Sequence, residues 1–115
     1  MPVGSKKPKL AKKKDAAQVV APGVIAAAIT TFAPKPYELN RPLLVVVQPI
    51  GEGFTASFFD VNIHASGDTE EEAFRNLKSL LLDVFDSLLA ESPEKLGPEP
   101  KRQLAVLREF IRKKG

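Results

Sequence analysis

Between Phe54 and Leu89 the spacing of apolar residues changes period once, from two to 3.6, and the change falls at Gly67-Asp68-Thr69. That single change restricts the segment to strands first and a long helix second. Leu43-Leu44-Val45-Val46-Val47-Gln48 is a β-branched apolar run suited to a strand, and Pro42 before it narrows the conformation of the preceding residue. Pro49-Ile50-Gly51-Glu52-Gly53 carries turn chemistry. Phe54 to Phe59 then alternates, with Phe54, Ala56 and Phe58 on one face and Thr55 and Ser57 on the other. Asp60 makes a short turn into Val61-Asn62-Ile63-His64-Ala65-Ser66, where Val61, Ile63 and Ala65 point inward. Three short strands with tight connections predict an antiparallel meander.

The helix start is written in the side chains. Thr69 is the expected N-cap, Glu72 three residues on completes a capping box, and Glu70, Glu71 and Glu72 complement the positive helix end. Ala73, Leu77, Leu81, Val84 and Leu88 form a stripe that covers one face of the sheet. Phe74, Leu82, Phe85 and Leu89 form a second stripe beside it, more apolar surface than a three-stranded sheet needs. Gly97-Pro98-Glu99-Pro100 breaks the chain, and Leu104, Leu107, Phe110 and Ile111 recur at helical spacing after it. Either this C-terminal helix docks on the second stripe or a partner chain does, and both are compatible with the pattern. The fold class is therefore α+β: a three-stranded meander, a long helix packed on it and a C-terminal helix.

Charge divides the chain more sharply than its net value of +3 suggests. Lys6, Lys7, Lys9, Lys12, Lys13 and Lys14 give +6 within residues 1–14, and the other 101 residues carry 11 basic against 14 acidic side chains. Residues 60–99 hold ten acids against Arg75, Lys78 and Lys95, whereas residues 100–115 hold six basic residues against Glu109. Residues 1–36 show no amphipathic period, contain five prolines and read as a flexible basic arm; residues 37–115 read as the folded domain. Residues 16–34 are uncharged and follow three lysines, the outline of a signal or anchor. Pro22-Gly23 and the many alanines argue against that use, so no membrane association is expected. A length of 115 residues allows one modest core and no interlobe cleft. The absence of cysteine excludes disulfides, thiol catalysis and thiolate zinc sites, and suits a cytoplasmic protein.

Little in the sequence points to catalysis. His64 is the single imidazole, and Asp60-x-Asn62-x-His64 aligns at period two, the one grouping from which a general base or metal ligand set would be built. One histidine rarely makes a metal site alone, and Asp60 is more simply a turn residue. The cluster Asp68, Glu70, Glu71, Glu72 is explained by its place at a helix start. Gly51-Glu52-Gly53 lacks the following helix and lysine of a phosphate loop, and Ser57 and Ser66 lack a Gly-x-Ser-x-Gly setting. No catalytic residue, cofactor or metal is expected. The six lysines of the arm are candidates for salt-sensitive nucleic-acid contact, with the basic C-terminal helix as a second patch. No aromatics are interleaved among those lysines for base stacking, and one helix alone does not make a helix-turn-helix.

The strand pair, the third strand and the string Ser66-Gly67-Asp68-Thr69-Glu70-Glu71-Glu72-Ala73-Phe74-Arg75-Asn76-Leu77-Lys78 resemble the HicB-like antitoxin family. Gly67, Asp68, Thr69, Glu72, Ala73, Asn76 and Leu77 match its Gly-Asp-Thr-x-x-Glu-Ala-x-x-Asn-Leu signature, and the resemblance covers roughly residues 37–89. It implies a compact β-β-β-α domain that binds and occludes a small RNA-cleaving, HicA-like toxin, with binding rather than catalysis as the activity. It differs from many members in lacking Pro-Gly-Cys before the signature, a fourth strand after the helix, and a following DNA-binding module. The resulting expectation is a non-catalytic, homo-oligomeric binding protein. Phe74, Leu82, Phe85 and Leu89 are its candidate contact surface, and nucleic-acid binding through the lysines is the alternative.

Overall fold

The computed structural model describes residues 18–21 and 23–114. In chain order the elements are β1 (Gln18–Ala21), β2 (Val24–Ile29), β3 (Tyr37–Leu39), β4 (Leu43–Ile50), β5 (Gly53–Phe58) and β6 (Ile63–Gly67). These are followed by α1 (Glu70–Ala90), a short 3-10 turn (Pro93–Lys95), α2 (Pro98–Phe110) and β7 (Ile111–Lys113). The class is α+β, with α1 packed on an antiparallel sheet and α2 beside it.

The meander β4-β5-β6 has the expected connectivity, but the sheet is larger than three strands. Its order is β1-β2-β4-β5-β6, and β2 and β1 come from the segment that reads as an arm. The folded domain therefore starts before residue 37. The reason is alanine. Ile25, Ala27 and Ile29 of β2 point into the core and pair in register with Val47, Val45 and Leu43, while Ala26 and Ala28 take the other face, Ala26 half-buried and Ala28 buried. Alanine on the outer face leaves no polar mark, so a half-buried strand reads as an uninterrupted apolar run. Gly23, with φ +76, supplies the left-handed backbone that the connection from β1 to β2 requires. The candidate arm lysines, Lys6 to Lys14, lie outside the described residues.

Three local boundaries also move. β4 continues through Pro49 and Ile50, and the turn into β5 is Gly51-Glu52, with Gly51 at φ +59. A proline is tolerated there because the ladder with β2 stops at Val47. Val61 and Asn62 belong to the turn before β6, where Val61 is fully buried and Asn62 has φ +58. α2 begins at Pro98 instead of after Pro100, since the first helical turn has no use for the N–H that proline lacks.

The strand-to-helix junction follows the sequence closely. The Thr69 hydroxyl accepts from the Glu72 N–H at 3.0 Å, and the Glu72 carboxylate accepts from the Asp68 N–H at 2.7 Å, one residue earlier than in the standard box. A Cβ on Gly67 would stand 2.4 Å from the Ala73 nitrogen, so only glycine fits this approach of strand to helix.

A single core joins the inner sheet face, both helices and Phe32. Phe74, Leu82 and Phe85, the candidate partner surface, are buried within this chain, and Leu89 is half-buried. Their cover comes largely from the segment before β4: the Tyr37 ring meets Phe85 edge-on at 6.4 Å, and Phe32 shares a groove wall with Leu82. α2 instead seats Phe110 edge-on against Phe58 at 5.4 Å. Ile111 is not part of α2; it opens β7, which pairs with β3.

Candidate functional site

Alternation along the strands divides the sheet into a covered face and an open one. On the open face Ala26, Val46, Ser57 and His64 form one row across β2, β4, β5 and β6, with Ala28 and Leu44 paired in the next. Leu44 is 72% exposed and Phe59, just beyond β5, is 55% exposed. Thr55, Ser66 and Gln48 make the other end of this face polar. The apolar part thus carries small side chains around two large exposed ones, with no charged residue in either row.

His64 sits in this face as a fixed group. Asn62 Oδ1 only accepts, so in the neutral ring the Nε2–H donates to it at 2.9 Å, and Nδ1 accepts from the Ser57 hydroxyl at 2.7 Å. Phe59 packs edge-on to the imidazole at 5.7 Å. The arrangement differs from the expected Asp60-Asn62-His64 row: the partners are Ser57 and Asn62, and Asp60 uses its carbonyl to accept from Arg102 at 3.0 Å. Ser57 is 1% exposed, so the oxygen facing the imidazole is out of a substrate's reach, and the contacts orient the ring on the surface. Among the described residues no three His, Asp or Glu side chains converge in a metal-binding group.

The seven signature residues all serve the junction. Besides the roles of Gly67, Asp68, Thr69 and Glu72 given above, the Asn76 amide donates to the Ser66 carbonyl at 2.8 Å and ties α1 to β6. Ala73 and Leu77 are fully buried under the sheet. At this end a groove of about 340 Å³ runs between Ile50, Phe54 and the start of α1, and the charges lining it are Asp68 and Glu72.

The opposite charge collects around the Thr30–Pro36 loop. One groove of about 310 Å³ lies between this loop and α1, lined by Phe32, Pro34, Leu82, Lys35, Arg75 and Lys78. A second, of about 340 Å³, lies on the loop's other side and is lined by Thr30, Thr31, Glu38, Arg112 and Lys114. Beside them Tyr37, Asp86 and Lys113 form a clasp between β3, α1 and β7. The Tyr37 hydroxyl donates to Asp86 Oδ2, and Lys113 Nζ stands 3.2 Å from Oδ1 as an ion-pair contact. The hydrogen bond to Asp86, with burial and the nearby carboxylates Asp86 and Asp83, pushes the phenol pKa up to about 12. The same hydrogen bond, aided by Lys113 and opposed by burial, holds the Asp86 carboxyl below the usual carboxylate range.

The basic C-terminal residues are divided between two elements, with Lys101, Arg102 and Arg108 on α2 and the others at β7. Arg112 and Lys113 belong to β7, where Arg112 bonds Glu38 at 2.7 Å, and on α2 Arg102 is engaged by Glu99 at 2.7 Å. Sequence reasoning passed over Leu44, Phe59, Lys35 and Arg75. For the first, the unbroken run Leu43 to Val47 was itself the signal, because a strand with one wet face alternates. Comparison with family models, with curated proteins and with solved structures finds no match to this chain. No helix among the described residues is long and apolar enough to cross a membrane.

Proposed function

We propose that this chain is a non-catalytic binding protein of the HicB-like antitoxin type. It acts by protein–protein contact, with a small RNA-cleaving partner or with a second copy of itself. The observation that carries this reading is the open sheet face, where Leu44 and Phe59 stay 72% and 55% exposed among alanines, Val46 and a fixed His64. Large side chains held on a flat scaffold are what a contact surface uses, because little ordering entropy is lost on association. The groove lined by Asp68 and Glu72 adds attraction for a basic partner. The signature residues support the same reading indirectly, since each builds the junction that holds α1 against the sheet.

The test is light scattering of the purified chain at tens of micromolar, with and without the co-expressed product of a neighbouring small basic reading frame. Wild type is expected to form an oligomer or a stable complex. Leu44→Asp and Phe59→Asp are expected to abolish it while the dissociated chain keeps its folded circular-dichroism spectrum. A wild-type monomer that retains no partner overturns the proposal, as do variants that assemble like wild type.

A further inference from the structure

We propose that the two grooves flanking the Thr30–Pro36 loop bind the phosphodiester backbone of single-stranded nucleic acid. They share Phe32 and Ala33 as a common wall, so their cations form a track along one side of the molecule instead of a single pocket. Lys35, Arg75 and Lys78 line one side and Arg112 and Lys114 the other, against Glu38 as the one acid in either lining. Glu38 pairs with Arg112 and the two charges cancel, so the net positive charge of the linings comes from the remaining cations.

The loop that carries the track is fixed. Its turns are closed by Lys35 N–H to the Phe32 carbonyl at 3.0 Å, Tyr37 N–H to the Lys35 carbonyl at 2.8 Å, and Lys114 N–H to the Pro36 carbonyl at 3.0 Å. Thr31 Oγ1 accepts from the Ala33 N–H at 3.0 Å, which leaves its own proton free to donate, and Ser79 offers a second hydroxyl in the groove beside α1. Cations alternating with neutral donors suit phosphate oxygens. A polymer with one charge per repeat matches a track of separated cations better than a compact anion does.

The grooves lie apart from the open sheet face, so this proposal stands or falls independently of the protein contact.

Fluorescence anisotropy of labelled oligo(dT) and oligo(U), each about 20 nucleotides, with the full chain tests it across a salt series. Wild type is expected to bind with an affinity that falls steeply with salt. The double variant Lys35→Glu/Arg75→Glu is expected to bind about tenfold more weakly, with a log–log salt slope shallower by about 1.4, at about 0.7 per lost phosphate contact. Lys101→Glu/Arg108→Glu on α2 imposes the same charge change outside the grooves and is expected to cost less than about threefold. Lys35→Gln/Arg75→Gln and thermal melts guard against misfolding in the charge reversal. Equal losses in the groove and α2 variants, no loss in either groove variant, or no wild-type binding overturns the proposal. Equally tight binding of labelled oligoglutamate does so too, by making the occupant an acidic peptide. Comparison of the two oligonucleotides separates DNA from RNA.

Discussion

On β4, Leu43, Val45 and Val47 point toward the helices and are at most 1% exposed, whereas Leu44, between the first two, stands 72% in solvent. The same strand thus serves two purposes. On the covered face the large side chains are buried in the core shared with both helices, each contributing on the order of 2 kcal/mol. On the open face Leu44 and Phe59 contribute nothing comparable to folding, and the proposed protein contact is what would bury them. Ser57 and His64 add an ordered polar pair within that face, so it is shaped as well as apolar.

The sharpest way to break this comparison is to shorten one leucine on each side. Leu77→Ala, beneath the sheet, is expected to cost about 3 kcal/mol in urea unfolding at a dilution where the chain is monomeric, while Leu44→Ala changes stability there by less than about 0.5 kcal/mol. Equal costs mean that the open face is covered in the folded state and the distinction fails. Gly67→Ala comes next. Its Cβ meets the Ala73 nitrogen at 2.4 Å, so α1 must move off β6, at an expected cost of about 2 kcal/mol, read as a lowered urea midpoint. A neutral result there removes the steric explanation of the glycine.

The smallest effect belongs to the clasp at the rim of the covered face. Asp86 has its folded pKa lowered, so its contribution is present above the unfolded carboxylate pKa and is lost as pH falls through the folded value. Thermal melts of wild type and Asp86→Asn should therefore differ near neutral pH and converge in acid. Tyr37 is shifted upward, so its contribution is complete below pH 10 and is lost as pH rises toward about 12. The partial exposure of this cluster keeps the acid-side difference below about 1 kcal/mol. A gap that persists unchanged at pH 2 rules out the ionised clasp.

The meander, α1 and its cap were legible because each carries a local signal: alternation in β5, the Thr69 and Glu72 pair, the stripe from Ala73 to Leu88. β2 was not, since alanine at positions 26 and 28 hides which face is wet. β3 and β7 are three residues each, too short for any period, and exist only through their long-range pairing. The contact surface expected at Phe74, Leu82 and Phe85 was misplaced for the same reason. Without β3 and the Phe32 loop, only the C-terminal helix or a partner chain was in view to cover it, whereas Tyr37 and Phe32 supply much of the cover.

The pairing of β3 with β7 also sets an order in time. Arg112 meets Glu38 across 74 positions of the chain, so this ladder cannot close while the ribosome still holds residue 113. The β4-β5-β6 meander and α1 are free to assemble earlier, since their contacts are nearer in sequence. The Arg112 and Lys114 side of the cationic track therefore completes last, and a growing chain presents its open sheet face before it presents that side of the track.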